Sequence, residues 1–187
     1  MANSNFFGQL RETRLSETVE NIAGERLKVA STQNEIKSAF EEAYSDLGYK
    51  AEIKFSTPEE TPELKDKAGT AYVSSTGVHT MIININAKEN STKSGLIGTI
   101  SEEGSHIING AKGRQIETGT EEKGLESTGR ATNSYFQDKY KDDKTTISMK
   151  SDGAIDTSKL GTNVGDKLLI KKSNFENLKN DLGEFMD

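Results

Sequence analysis

Thr92-Lys-Ser-Gly-Leu-Ile-Gly-Thr-Ile-Ser-Glu-Glu-Gly-Ser-His-Ile-Ile-Asn-Gly110 is the stretch whose reading decides the fold. At roughly 100° per residue it forms a helix with Leu96, Ile100 and Ile107 in one apolar stripe, which Gly104 and Ile108 widen on one side. On the other edge of the stripe stand Glu102, Glu103 and His106, within about a third of a turn of one another. Two carboxylates and an imidazole at the border of a buried helix face have the layout of a metal or acid/base site. Gly98 and Gly104 each cost roughly 1 kcal/mol against Ala inside a helix, which points to close packing of this helix on its neighbours. They follow no strand and are not spaced to cradle a phosphate.

Upstream of this helix the pattern predicts a sheet. Ala51-Glu-Ile-Lys-Phe-Ser56 alternates apolar and polar, as a half-buried strand does. Thr70 to Ser75 and Val78 to Asn86 read as a hairpin with Thr76-Gly77 at the turn, and the second arm is apolar enough to lie inside the sheet. His79 falls in that arm as a strand residue. Between the first strand and the hairpin, residues 57–67 hold both prolines and four acidic residues and read as a solvated loop.

Two helical stretches precede the sheet. Residues 3–28 have Phe6, Phe7, Leu10, Val19 and Ile22 as buried positions, but the pattern breaks around Thr13 to Ser16, which suggests two short helices. Thr32-Gln-Asn-Glu35 has capping-box form. Ile36, Phe40, Tyr44 and Leu47 follow on one face, and Gly48 closes the helix in the left-handed position. Downstream, residues 121–140 form a helix with Leu125, Thr132 and Phe136 on one face. Ala154-Ile155 and residues 167–171 read as short strands, and residues 174–186 as an amphipathic helix. The class is therefore α+β: a small three-stranded sheet with N-terminal helices, then the 92–110 helix and a second supporting helix. A soft boundary near residue 148 separates a domain at 1–148 from a C-terminal extension, or the start of a following module, at 149–187.

Composition narrows the function. A formal charge of −6 and the lack of a basic stripe argue against nucleic acid. With no cysteine, any metal must be held by His, Asp and Glu. The longest apolar run, Met81-Ile-Ile83, is far too short to cross a bilayer, so no membrane insertion is expected. Met1 to Asn5 has neither the basic start nor the apolar centre of a signal peptide. If the protein is exported, the signal lies outside this sequence.

The spacing of the acidic edge bears on chemistry. Zinc peptidases place two ligands at i and i+4 of one helix with a general-base Glu at i+1. Glu102, Glu103 and His106 occupy those places, so the pattern is H-E-x-x-H with its first His replaced by Glu. Glu126 follows His106 at about the twenty-residue distance at which the third ligand follows in zincins whose third ligand is Glu. In this the chain resembles the Glu-type zincins over residues 70–140. It departs from them at Arg130, which stands where they carry an Asp, and which pairs more naturally with Glu126 at i,i+4.

The run Gly95 to His106, with Gly113-Arg-Gln115 and Gly124-Leu-Glu-Ser-Thr-Gly-Arg-Ala-Thr-Asn-Ser-Tyr-Phe136, is also similar to a domain near the C-terminal end of filamentous-haemagglutinin-type and contact-dependent toxin proteins. Lys-, Asn- and Ile-rich versions are typical of fusobacteria. Several of those domains carry His where this chain has Ser101 or Glu102, so the resemblance implies an altered metallopeptidase fold within a much larger secreted or cell-surface protein. A cytoplasmic regulatory domain is the alternative.

The residues leave three readings open. In the first, Glu102, Glu103 and His106 are a polar helix edge. In the second, Glu102, His106 and Glu126 bind an ion and Glu103 takes a proton from its bound water, to hydrolyse a peptide bond in a protein or peptide partner. In the third, the fold descends from such a peptidase and serves as a structural module. Zinc suits the site, manganese or iron would compete for two carboxylates and one imidazole, and no cofactor at all is the remaining option. Ser101 and Ser105 lack the strained elbow and orienting acid of a nucleophile.

Overall fold

The computed structural model describes the backbone over residues 4–113 and 123–165, and side chains over residues 10–113 and 129–165. Helices α1 (Ser4–Val29) and α2 (Gln33–Asp46) lead into strands β1 (Ala51–Ser56), β2 (Gly69–Val73) and β3 (His79–Asn84), then helices α3 (Lys93–Ala111) and α4 (Lys123–Lys139), and a short strand β4 (Thr162–Asn163). The class is α+β as the sequence predicts, with a fourth strand added. The strands expected at Ala154-Ile155 do not form. Those at 167–171 and the helix at 174–186 fall outside the described residues.

The sheet order is β1-β3-β2-β4. β3 lies in the centre, parallel to β1 with Ala51 opposite His79, and antiparallel to β2 with Gly69 opposite Ile83. All six β3 residues are buried, as its apolar run predicts. Strand β1 is an edge whose outer N–H groups are covered by side chains. Ile53 donates to the Glu41 carboxylate at 2.8 Å, and Phe55 donates to that of Asp152 at 2.9 Å. Such cover keeps an edge from pairing with another chain. Helices pack on one face of the sheet, where Phe40, Phe55, Met81, Ile83, Leu96, Ile100 and Phe136 share one core. The other face holds a smaller cluster of Leu64, Tyr72 and Ile82, with Ile155 and Leu160 against it. Leu64 and Thr61 are fully buried. Six of residues 57–67 are exposed, as the solvated loop expected would be, while Thr61 and Leu64 pin the loop against the sheet. Residues 150–164 cross the same body: Lys150 bonds Gln33, Gly153 accepts from Ser56, and Val164 donates to Ala71.

α2 begins as its sequence predicts. The Thr32 hydroxyl accepts from Glu35 N–H at 3.1 Å, while the Glu35 carboxylate reaches back to Ser31 N–H. Its end follows the prediction too, with Gly48 at φ 91°. α1 corrects an expectation, because it is one continuous helix through Thr13 to Ser16. Five of its buried residues, Glu12, Ser16, Val19, Ala23 and Leu27, run at i, i+4, i+7, i+11 and i+15, a single helical stripe. The stripe is polar in its first half, so a count of apolar residues loses it there.

Lys93 opens α3 with a buried ammonium that donates to Lys28 C=O and pairs with Asp143, both at 3.0 Å. It thereby joins the start of α3 to the ends of α1 and α4. The Thr145 hydroxyl, and then Lys93, hold the Asp143 carboxyl below its ordinary pKa. A carboxyl with a depressed folded pKa stabilises fully above its unfolded value and loses that contribution as pH falls through the folded one. The stability gap between the wild type and Asp143→Asn, read from urea midpoints, is expected to be constant near neutrality and to shrink only below pH about 4.

Candidate metal centre

The 92–110 helix is more enclosed than a one-sided apolar stripe implies. β2 and β3 lie on one side of it and α2 and α4 on others. Leu96, Ile100, Ile107 and Ile108 are buried as expected and Ile97 with them, but so are Glu103 and His106, each 2% exposed. Glu102 is half-buried. The acidic edge predicted at a solvent border is therefore largely an interior group.

Glu102, Glu103 and His106 converge, each offering one ligand atom, and these atoms all lie within 4.8 Å of one another. The sequence assigned Glu102 and His106 as ligands, and both are here. Glu103, assigned as the proton acceptor, stands in the same group and is placed to be a donor itself. Glu126 lies one turn before Gly129 in α4, but its side chain is outside the described residues, as is any pairing with Arg130.

Small residues let these groups meet. A Cβ on Gly129 would fall 2.5 Å from Cε1 of His106, so the imidazole rests directly on the α4 backbone. A Cβ on Gly98 would lie 2.3 Å from Asn133 Oδ1, and the same Asn133 donates from Nδ2 to Glu102 at 2.9 Å. The Glu103 side chain passes against Gly69 of β2. On the far side of α3, a Cβ on Gly104 would lie 1.9 Å from the Tyr44 hydroxyl oxygen. Burial, and then the charges of Glu12 and Glu103, push the Tyr44 pKa far above the ordinary phenol value. The phenol stays protonated under the charges of these two carboxylates.

The remaining sequence candidates have structural roles. His79 is buried in β3, where its Nδ1 accepts from Ser74 N–H at 3.1 Å and burial lowers its pKa. Ser101 donates to Gly98 C=O at 2.7 Å and Ser105 to the Glu12 carboxylate at 2.9 Å. Both hydroxyl protons are engaged, which fits neither serine as a nucleophile. Sequence reasoning missed Glu12, Tyr44 and Asn133. The signal for Glu12 was present as the break in the α1 apolar pattern. Asn133 carried none, because an amide on a helix surface is ordinary.

Searches against protein-family models, curated proteins and solved structures give no match. The site therefore has to be read from its own chemistry. Two carboxylates and an imidazole form a hard-to-borderline donor set that suits zinc, manganese or iron, and burial of two of the three raises the electrostatic value of a cation there. Among the described residues no helix is long and apolar enough to cross a membrane.

Gly104→Ala is expected to destabilise the protein by about 1–3 kcal/mol, the range for overpacking a filled site. Alanine's better helix propensity works in the opposite direction. Urea unfolding measures the change, and a variant as stable as wild type would mean that Tyr44 is not seated on the α3 backbone.

Proposed function

We propose that this chain is an altered zincin-like domain in which Glu102, Glu103 and His106 hold a divalent cation as a structural centre, in a larger bacterial secreted protein of the adhesin or toxin-delivery kind. The observation that carries the reading is the convergence of the three donors inside the α3–α4 contact. Catalytic zinc sites keep a position open for water and substrate, whereas structural sites are closed. With Glu103 and His106 both 2% exposed and the α4 backbone against the imidazole, closure is favoured. A groove of about 740 Å³ lies elsewhere, between α1 and the end of α4, lined by Glu20, Gly24, Lys139, Tyr140 and Asp143. In this reading the ion offsets the charge of buried carboxylates, and Asn133 orients Glu102, as outer partners of metal ligands do. The larger protein, its export and its surface location rest on the sequence resemblance.

A hydrolytic reading keeps one point in its favour, since Glu102, Glu103 and His106 occupy the i, i+1 and i+4 places of the peptidase motif. In it, the chain would cleave a peptide bond with Glu126 as third ligand and Glu103 moving the proton.

Protein purified without chelator is expected to retain close to one equivalent of zinc, manganese or iron by elemental analysis. Saturating ion should raise the melting temperature of the metal-free protein by about 5–10 °C, from a stabilisation of about 2.7 kcal/mol at a hundredfold excess over Kd. Glu103→Gln and His106→Ala should each abolish that rise. Absence of a bound ion and of any ion-dependent melting shift in the wild type overturns the cation reading. Hydrolysis of an unstructured protein substrate by the wild type but not by Glu103→Gln would replace it with the enzymatic one.

A further inference from the structure

The buried polar group extends past the three donors into α1. Glu12 is 1% exposed. One of its oxygens accepts from Ser105 Oγ at 2.9 Å, and the other accepts from Asn109 Nδ2 at 2.9 Å and Arg11 Nε at 3.2 Å. Ser105 and Asn109 bracket His106 on α3, one residue before it and three after. Tyr44 supplies the link, because its hydroxyl sits on Gly104 and feels the charges of both Glu12 and Glu103. The charges of two carboxylates from different helices thus act on one buried phenol.

The two halves of α1 are held differently. Val19, Ala23 and Leu27 are fully buried in the main core. In the turns before them the buried residues are Arg11, Glu12 and Ser16, all polar, and Glu12 accepts the bonds from α3. Apolar burial is indifferent to a nearby charge, but a buried carboxylate is not.

We infer that Glu12 and Tyr44 form an outer layer of the cation centre, through which a divalent ion at Glu102, Glu103 and His106 tightens the docking of the first half of α1 onto α3. This rests on the cation reading above. Bringing Glu12 toward Glu103 sets like charges near one another, and a doubly charged cation at Glu103 reverses the sign of that interaction. Coupling between two equilibria is reciprocal: whatever a docked Glu12 adds to ion affinity, the ion adds to docking. Partners outside the ligand shell change metal affinity by about 10–100-fold when removed.

Manganese titrated into the metal-free full chain, with amide hydrogen exchange followed by mass spectrometry, tests the inference. In the wild type, saturating Mn²⁺ should slow exchange over residues 10–16 about tenfold and leave residues 19–29 little changed. Glu12→Gln, which keeps the side-chain shape but not the charge, should bind Mn²⁺ about tenfold more weakly and lose the ion-dependent slowing. Tyr44→Phe, which removes only the hydroxyl, should weaken binding in the same direction. It serves as the deciding variant if circular dichroism shows Glu12→Gln to be unfolded. Wild-type binding of Mn²⁺ with no change in α1 exchange, and with unaltered affinity in the folded variants, overturns this inference and leaves the cation reading standing. Where the wild type takes up only Zn²⁺ or Fe²⁺ the same titration is read with that ion, and a wild type that takes up none of the three overturns both.

Discussion

The enclosure of α3 is the constraint on which the rest depends. A helix with the sheet on one side and other helices around it has no wet face on which to keep its polar residues. Yet α3 carries Glu103, Ser105, His106 and Asn109 into that interior. A buried polar group is tolerated only where a partner meets it, and a buried charge only where another charge or an ion compensates it. Much of the surrounding polar chemistry follows from that demand: Glu12 accepts from Ser105 and Asn109, and Asn133 donates to Glu102.

Close approach makes these pairings reachable. Each of Gly98, Gly104 and Gly129 has a neighbouring side chain in the space that a methyl group would fill. Glycine in a helix is unfavourable by roughly 1 kcal/mol against alanine, and here that loss is offset by contacts that a larger residue would block. The glycines of α3 and α4 thus belong to the same design as the polar residues. They narrow the helix–helix distance until short side chains such as Ser, Asn and His meet their partners without water.

Closure also frames the functional reading. Three donors within 4.8 Å suit a cation, and the proposed zincin kinship rests on the spacing of those residues along the helix. A hydrolase must admit substrate to its metal, while a packed helix interface does the reverse. In the proposed structural centre the ion would take over from solvent the task of compensating carboxylates that the fold has buried, and would link α3 to α1 through Glu12.

Much of the fold was legible in the residues. The capping box at Thr32, the alternation in Ala51 to Ser56, the apolar run of β3 and the 3.6-residue stripe of Leu96, Ile100 and Ile107 are local patterns. Local patterns are set by backbone geometry and one burial preference. The same spacing brought Glu102, Glu103 and His106 to one side of a helix. The sequence could not say that this side would be covered, because amphipathic reasoning assumes that a polar edge faces water. Nor could it extend the α1 stripe through Glu12, whose buried carboxylate is met by Ser105 and Asn109 some ninety residues away. Periodicity along one chain determines which side chains share a face. Which of those faces stay wet, and which polar groups must then find partners, is decided only when the elements pack, because desolvation is a property of the whole assembly.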